Sequence, residues 1–250
     1  MKKTHLIILS LFLTSAIIIT ATVITYKALT VPKSKKYVVE TIEANSKGYI
    51  KVGIISDAQL PQEEKNLYGW DYATVMNGAD HLIKALKYYK SQNVDMIVFN
   101  GDMVNATGDY AAYSAYNKIL DYVYGEDRAE APHIIYPMGN HEFYGGNQEH
   151  NFYKSTGLPL NTRTIVNGYS FISISNSKLE KGDEELAESN DTLADGTYNE
   201  KRIEFLKEQL AAANTEDPNK PIFVFIHMPI SNIVNGGHWA TPQYEEIYSI

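Results

Sequence analysis

Short β-branched runs along this chain alternate with longer stretches whose apolar residues recur at helical spacing. Residues 50–56, with Ile50, Val52, Ile54 and Ile55, read as a strand. Residues 72–92 follow with Met76, Ala79, Leu82, Ile83, Leu86 and Tyr89 on one helical face. A second buried strand at 96–100, a helix over 110–124 and a short strand from His133 to Ile135 continue the alternation. Strand, helix, strand, helix, strand predicts a parallel sheet with crossover helices. The pattern then changes. Residues 164–174 read as a hairpin turning at Asn167-Gly168. Residues 178–197 are acidic and dotted with Gly, Ser and Asn, which predicts a solvated loop. A helix through Ile203, Leu206 and Leu210 leads to residues 221–226, the most apolar strand, and residues 241–250 look like the start of a helix.

A different pattern precedes the folded part. Met1-Lys2-Lys3 is followed by an almost wholly apolar run from Leu6 to Tyr26. A signal-peptide core spans about 7–15 residues and a membrane-crossing helix about 20. Residues 1–27 are therefore expected to be a signal anchor or a cleaved signal peptide. Residues 28–48 read as a mostly polar linker, and residues 49–250 as the domain. Lysines flank both ends of the apolar run, so charge alone divides on orientation. A basic start before an apolar run reads as an export signal. The expected location is the cell membrane with an extracytoplasmic domain, or secretion, and the membrane is an expected partner through the N-terminal apolar segment.

Composition narrows the chemistry. Net charge is −8 over 250 residues, and no basic stripe lies outside the N-terminal region, which argues against a nucleic-acid-binding patch. There is no cysteine, so disulfides and thiolate metal sites are excluded. Any metal must be held by His, Asp, Glu, Asn or Gln.

Such residues gather at the ends of the apolar runs. The strand at 50–56 ends in Asp57-Ala58-Gln59, the next in Gly101-Asp102, the third leads to Gly139-Asn140-His141-Glu142, and the last ends in His227. In open α/β sheets, sites collect in the crevice outside the strand carboxyl ends. A charge buried there must be paired, hydrogen-bonded or metal-bound. Carboxylates, an amide oxygen and imidazole together suit Mn, Fe or Zn better than Ca or Mg. A central Asp102 is placed to bridge two cations, and two metals about 3.5–4 Å apart clamp a phosphate.

In order and spacing these motifs resemble the calcineurin-like metallophosphoesterase superfamily, whose pattern is Asp-x-His, Gly-Asp, Gly-Asn-His-Asp/Glu, His, then Gly-His-x-His. The resemblance covers about residues 50–229, and Gly139-Asn140-His141-Glu142 is its most specific part. It implies an α/β fold, a four-layer α/β/β/α sandwich with the site at the strand ends. It implies two divalent metal ions, with Asp57 on the first, Asp102 bridging, and Asn140 and His227 on the second. His141 would stabilise the phosphoryl oxygens or protonate the leaving group. The implied reaction is hydrolysis of a phosphate mono- or diester by in-line attack of a metal-bound hydroxide, which makes the chain a metal-dependent phosphoric ester hydrolase.

Two departures stand out. Gln59 occupies the place of the usual His; its carbonyl oxygen either ligates or hydrogen-bonds a metal-bound water. No Gly-His-x-His occurs, so the domain is expected to be incomplete in its C-terminal part, and weakly active until extended. Gly237-His238-Trp239-Ala240 begins like that motif without its second His. His238 reads as a substrate-side or merely exposed residue, and Glu142 as a structural partner rather than a ligand. The alternative reading is a non-catalytic cell-surface binding module that keeps the fold.

Overall fold

The computed structural model describes residues 37–44, 48–60, 72–105, 110–143, 148–176, 198–230 and 244–250, all within the unit Lys35–Ile250. The apolar N-terminal run, loop 178–197 and His238 lie outside the described residues. Among the described residues no helix is long and apolar enough to cross a membrane.

Three parallel strands, β2 (Val52–Ile55), β3 (Met96–Phe99) and β4 (His133–Ile135), form the first sheet in the order β2-β3-β4. Helices α1 (Tyr72–Gln92) and α2 (Tyr110–Tyr124) make the two crossovers, as the apolar spacing predicts. Asn93 terminates the first helix in a left-handed conformation, φ 50°, which Asn tolerates better than most residues. Ile55 pairs with Phe99 and Val98 with Ile135, so all three strands deliver the following residues to one edge.

The second sheet runs β1 (Tyr37–Ile42), β5 (Asn161–Val166), β6 (Tyr169–Ile174), β7 (Ile222–Ile226). β5 and β6 are the expected hairpin, three residues longer at its start. Asn167 and Gly168 turn at φ 50° and 77°, the left-handed pair that a two-residue hairpin turn needs. β1 and β7 run parallel to their neighbours. Helix α3 (Gln148–Thr156) precedes β5, α4 (Glu200–Glu216) precedes β7, and the short α5 (Tyr244–Tyr248) follows. Asn199 caps α4 by accepting Arg202 N–H at 3.2 Å.

Two elements differ from the sequence expectation. The stretch read as a linker contains β1. This strand alternates exposed and half-buried residues and buries none fully, so its apolar signal is weak. Residues 148–156, to which the sequence pattern assigns no element, form α3. Phe152 is its fully buried anchor, too little periodicity to announce a helix.

Strand alternation distributes the core. Ile97 and Phe99 face Leu82, Leu86, Tyr113, Tyr116 and Leu120 of α1 and α2. Met96 and Val98 face Val166 and Phe171 of the second sheet. Ile172 and Ile174 pack against Ile203, Phe205 and Leu206 of α4. Each fully buried Leu or Phe contributes about 1.5–3 kcal/mol, and together they hold the two sheets with their site-bearing edges together. The α/β class expected from the alternation is the observed one.

Candidate metal centre

The loops that leave β2 and β3 run side by side. Asp57 N donates to Gly101 O at 3.1 Å, Gln59 N to Asp102 O at 2.9 Å and Leu60 N to Met103 O at 2.9 Å, and Asn105 N returns to Leu60 O at 2.8 Å. Asp57, Gln59 and Asp102 all sit at positive φ, 57°, 45° and 53°. Left-handed backbone at three site positions is costly for non-glycine residues and persists where surrounding bonds enforce it.

These loops converge on Asp102, which is 3% exposed. Its Oδ1 accepts His141 N–H at 2.9 Å, and its Oδ2 lies 3.2 Å from His227 Nε2 and 3.8 Å from His141 Nε2. Asn140 Oδ1 is 3.1 Å from the same His227 nitrogen. Asp57, Asp102 and His227 each offer a ligand atom, all within 4.8 Å of one another. Two ligands bonded to one ion at about 2.0–2.2 Å stand up to about 4.4 Å apart, so donors this close are spaced for one ion or for two that share Asp102. Gln59 Oε1 is buried and finds no hydrogen-bond partner, a cost that coordination or a bound water removes. The donor set therefore fits a divalent metal. The structure brings Asp57, Asp102, Asn140 and His227 together, with His141 beside them.

Close approach requires the two glycines. A Cβ on Gly139 would fall 2.2 Å from Asp102 Oδ1 and 2.7 Å from His227 Cδ2, and one on Gly101, at φ +81°, would fall 2.5 Å from His227 Cγ.

Glu142 binds no ligand position. It is fully buried, and its carboxylate accepts Gly139 N at 2.7 Å, Asp102 N at 2.9 Å, Met103 N at 2.8 Å and the Tyr136 hydroxyl at 2.7 Å, with Val104 N at 3.4 Å. One carboxylate thus ties the Gly-Asp loop to the Gly-Asn-His loop. Burial and the neighbouring Asp102 charge push its pKa up to about 7, while the Tyr136 and Asp102 N–H donors hold it down.

Sequence reasoning did not single out Asn105, whose Oδ1 lies 3.1 Å from His141 Nδ1. An amide oxygen only accepts, so Nδ1 carries the proton and Nε2 is the atom presented to the site. Burial lowers the His141 pKa, and the His227 charge adds to that, against Asp102 and Asp57. Arg202 was likewise missed. Its buried guanidinium donates to Glu149 and to Ser175 O, and Ser175 Oγ accepts Met138 N–H at 2.8 Å, just ahead of Gly139. Asn105 stands three residues after Asp102, but its partner His141 lies 36 positions on, and nothing local marks Arg202.

His227 titrates against the metal. Burial alone would lower its pKa, but the hydrogen bond and charge of Asp102 outweigh this and raise it to about 9. Without metal, His227 is an imidazolium below that pH, and a proton occupies the nitrogen a cation needs. Metal binding is expected to release this proton, and affinity to rise by up to tenfold per pH unit toward about 9. The sign is opposite for the metal-free domain. The stability this charged pair gives is full below about pH 6.5 and is lost as pH rises through about 9. Calorimetric titration of Mn2+ in buffers of different ionisation enthalpy counts the protons. No release between pH 7 and 8 would refute the assignment of Nε2.

A groove of about 1080 Å3 opens between the edge strands β2 and β7, lined by Val52, Ile54, Phe223 and Phe225 among others. None of the site residues lines it, so it is not the space over the metal centre.

A family model described as calcineurin-like phosphoesterase matches residues 50–248, which takes in every one of these site residues. Among solved structures, the chain is similar to the crystal structure of a dimetal phosphatase from Danio rerio. The two are 18% identical with a TM-score of 0.58, over 80% of this chain and 76% of that one. At that identity the likeness is one of fold. No curated protein matches the chain.

Proposed function

This chain belongs to the calcineurin-like phosphoesterase family, and from that premise we propose that it hydrolyses a phosphate mono- or diester at the centre built on Asp102. It is a metal-dependent phosphoric ester hydrolase, and the family implies divalent metal ions and a phosphate-ester substrate. The proposal goes further in assigning residues. Asp57, Asp102 and Gln59 would hold one cation, and Asp102, Asn140 and His227 would hold the other. The ligand chemistry favours Mn, Fe or Zn. The observation that carries the reading is the convergence of Asp57, Asp102 and His227 ligand atoms within 4.8 Å.

Bound cations supply Lewis acidity, drawing charge from the phosphoryl oxygens and acidifying water near neutral pH. The chain's own residues do the rest. Asp102 would be shared between the two positions, and its Oδ1 accepts His141 N–H at 2.9 Å, which orients the carboxylate. Asn105 fixes the His141 ring and leaves Nε2 facing the site, placed to meet a phosphoryl or leaving-group oxygen. The test is hydrolysis of a generic phosphodiester and a generic monoester before and after chelation. Activity is expected to vanish on metal removal and to return with Mn2+ or Zn2+. Activity that survives exhaustive chelation would overturn the proposal.

The proposed location is outside the cytoplasmic membrane, with the apolar N-terminal run as anchor or signal. The basic Met1-Lys2-Lys3 start ahead of that run supports it. Protease added to intact cells is expected to degrade the domain, and full protection would count against export.

A further inference from the structure

A side chain on the first sheet reaches across to hold the end of β7. Asn100 follows β3 directly, and its Nδ2 donates to Ile226 O at 3.2 Å, 126 positions away in sequence. Its own carbonyl oxygen accepts His227 Nδ1–H at 2.8 Å and Ser56 Oγ–H at 3.1 Å, and its N–H donates to Ile55 O at 2.7 Å. One residue therefore touches the ends of β2 and β7 as well as continuing β3. The carboxamide oxygen is buried with no hydrogen-bond partner, so the donor end alone fixes the amide. A flipped amide would set that oxygen against Ile226 O. β7 is paired in the second sheet, through Ile226 and Ile174, and has no ladder to β3. The distance from His227 to Asp102 thus depends on contacts across the gap between sheets.

We infer that Asn100 is a positioning residue for metal capture: its carboxamide sets the gap between β3 and β7 and so aims His227 Nε2 at Asp102. The backbone carbonyl does the complementary part. It takes Nδ1–H, fixes the tautomer in the ligating state and leaves Nε2 as the metal-facing nitrogen. Without the amide, the end of β7 is free to move, and the 3.2 Å approach of His227 Nε2 to Asp102 Oδ2 loses its tether. The inference rests on His227 as a ligand.

Co2+ titration of the full chain tests it, read by visible absorption and by competition with a chromophoric chelator. The variants are Asn100→Ala, Asn100→Asp and His227→Ala, each first checked for a wild-type circular dichroism spectrum without metal. Asn100→Asp keeps the side chain's shape, so it carries the test if Asn100→Ala does not fold. Losses at residues that orient ligands run about 10–100-fold in metal affinity. A loss in that range is expected for both Asn100 variants, with an altered Co2+ spectrum. The Asp variant discriminates sharply, since an added carboxylate would by charge alone tighten cation binding. Wild-type affinity and spectrum in the Asn100 variants, with binding lost in His227→Ala, would overturn this inference and leave the ligand assignment standing. Wild-type binding in His227→Ala would instead overturn the assignment itself.

Discussion

Glu142→Ala is expected to lower the thermal midpoint of the metal-free domain by about 6–12 °C. The substitution strips the common acceptor from Gly139 N, Asp102 N, Met103 N and the Tyr136 hydroxyl, all of which point into a buried space. A buried donor left unsatisfied costs about 1–3 kcal/mol. Water entering the vacated volume recovers part of this, so a net loss of about 3 kcal/mol is the expectation. For a domain of this size each kcal/mol moves the midpoint by about 2–4 °C. Metal affinity should fall with it, because the loop carrying Asp102 and the loop carrying Asn140 lose what joins them. Glu142→Gln should fall between, since its amide nitrogen faces donors where the carboxylate faced them with oxygen. A midpoint within about 2 °C of wild type in Glu142→Ala would mean the carboxylate does not organise these loops.

The second large effect separates holding the metal from using it. His141→Ala is expected to reduce kcat by about 10²–10⁴-fold, the range for a positioned acid or base, while metal stoichiometry stays at the wild-type value. Its ring sits 3.8 Å from Asp102 Oδ2 and is oriented by Asn105, so its loss leaves Asp57, Asp102, Asn140 and His227 in place. Asp102→Ala is expected to remove metal and activity together. This carboxylate is the group that approaches both His227 and His141. Metal analysis of each purified variant beside its hydrolysis rate provides the check. A His141→Ala variant that loses metal would move His141 into the ligand set, and an Asp102→Ala variant that retains full metal content would remove Asp102 from it.

The site was readable in the sequence where function sits at the end of a strong apolar run. Asp57, Gly101-Asp102 and Gly139-Asn140-His141 each follow such a run, and parallel register then brings them to one edge. His227 also follows one, but at the end of β7 in the second sheet, and meets them across the gap between the sheets. The helices over 72–92 and 110–124 were readable for the same reason, since a wide apolar face repeats along each. β1 was not, because an edge strand that buries nothing fully carries little apolar signal. Asn100, Asn105 and Arg202 were not singled out because their partners lie far away in sequence. Asn100 meets Ile226 across 126 positions, Asn105 meets His141 across 36, and Arg202 meets Glu149 across 53. Local patterns register propensity and burial; they do not register which polar side chain will find which acceptor once the sheets pack. Glu142 lies between these cases. Its place in the motif was visible, but its role as acceptor for two loops needed the fold.

The assignment of a metal centre to Asp57, Asp102, Asn140 and His227 is tested most directly by anomalous diffraction from crystals grown with Mn2+ or Zn2+, recorded on both sides of the metal edge. Anomalous density is expected between Asp102 Oδ2, His227 Nε2 and Asn140 Oδ1, and a second peak between Asp102, Asp57 and Gln59. Anomalous density elsewhere in a catalytically active crystal, with none beside Asp102, would contradict it.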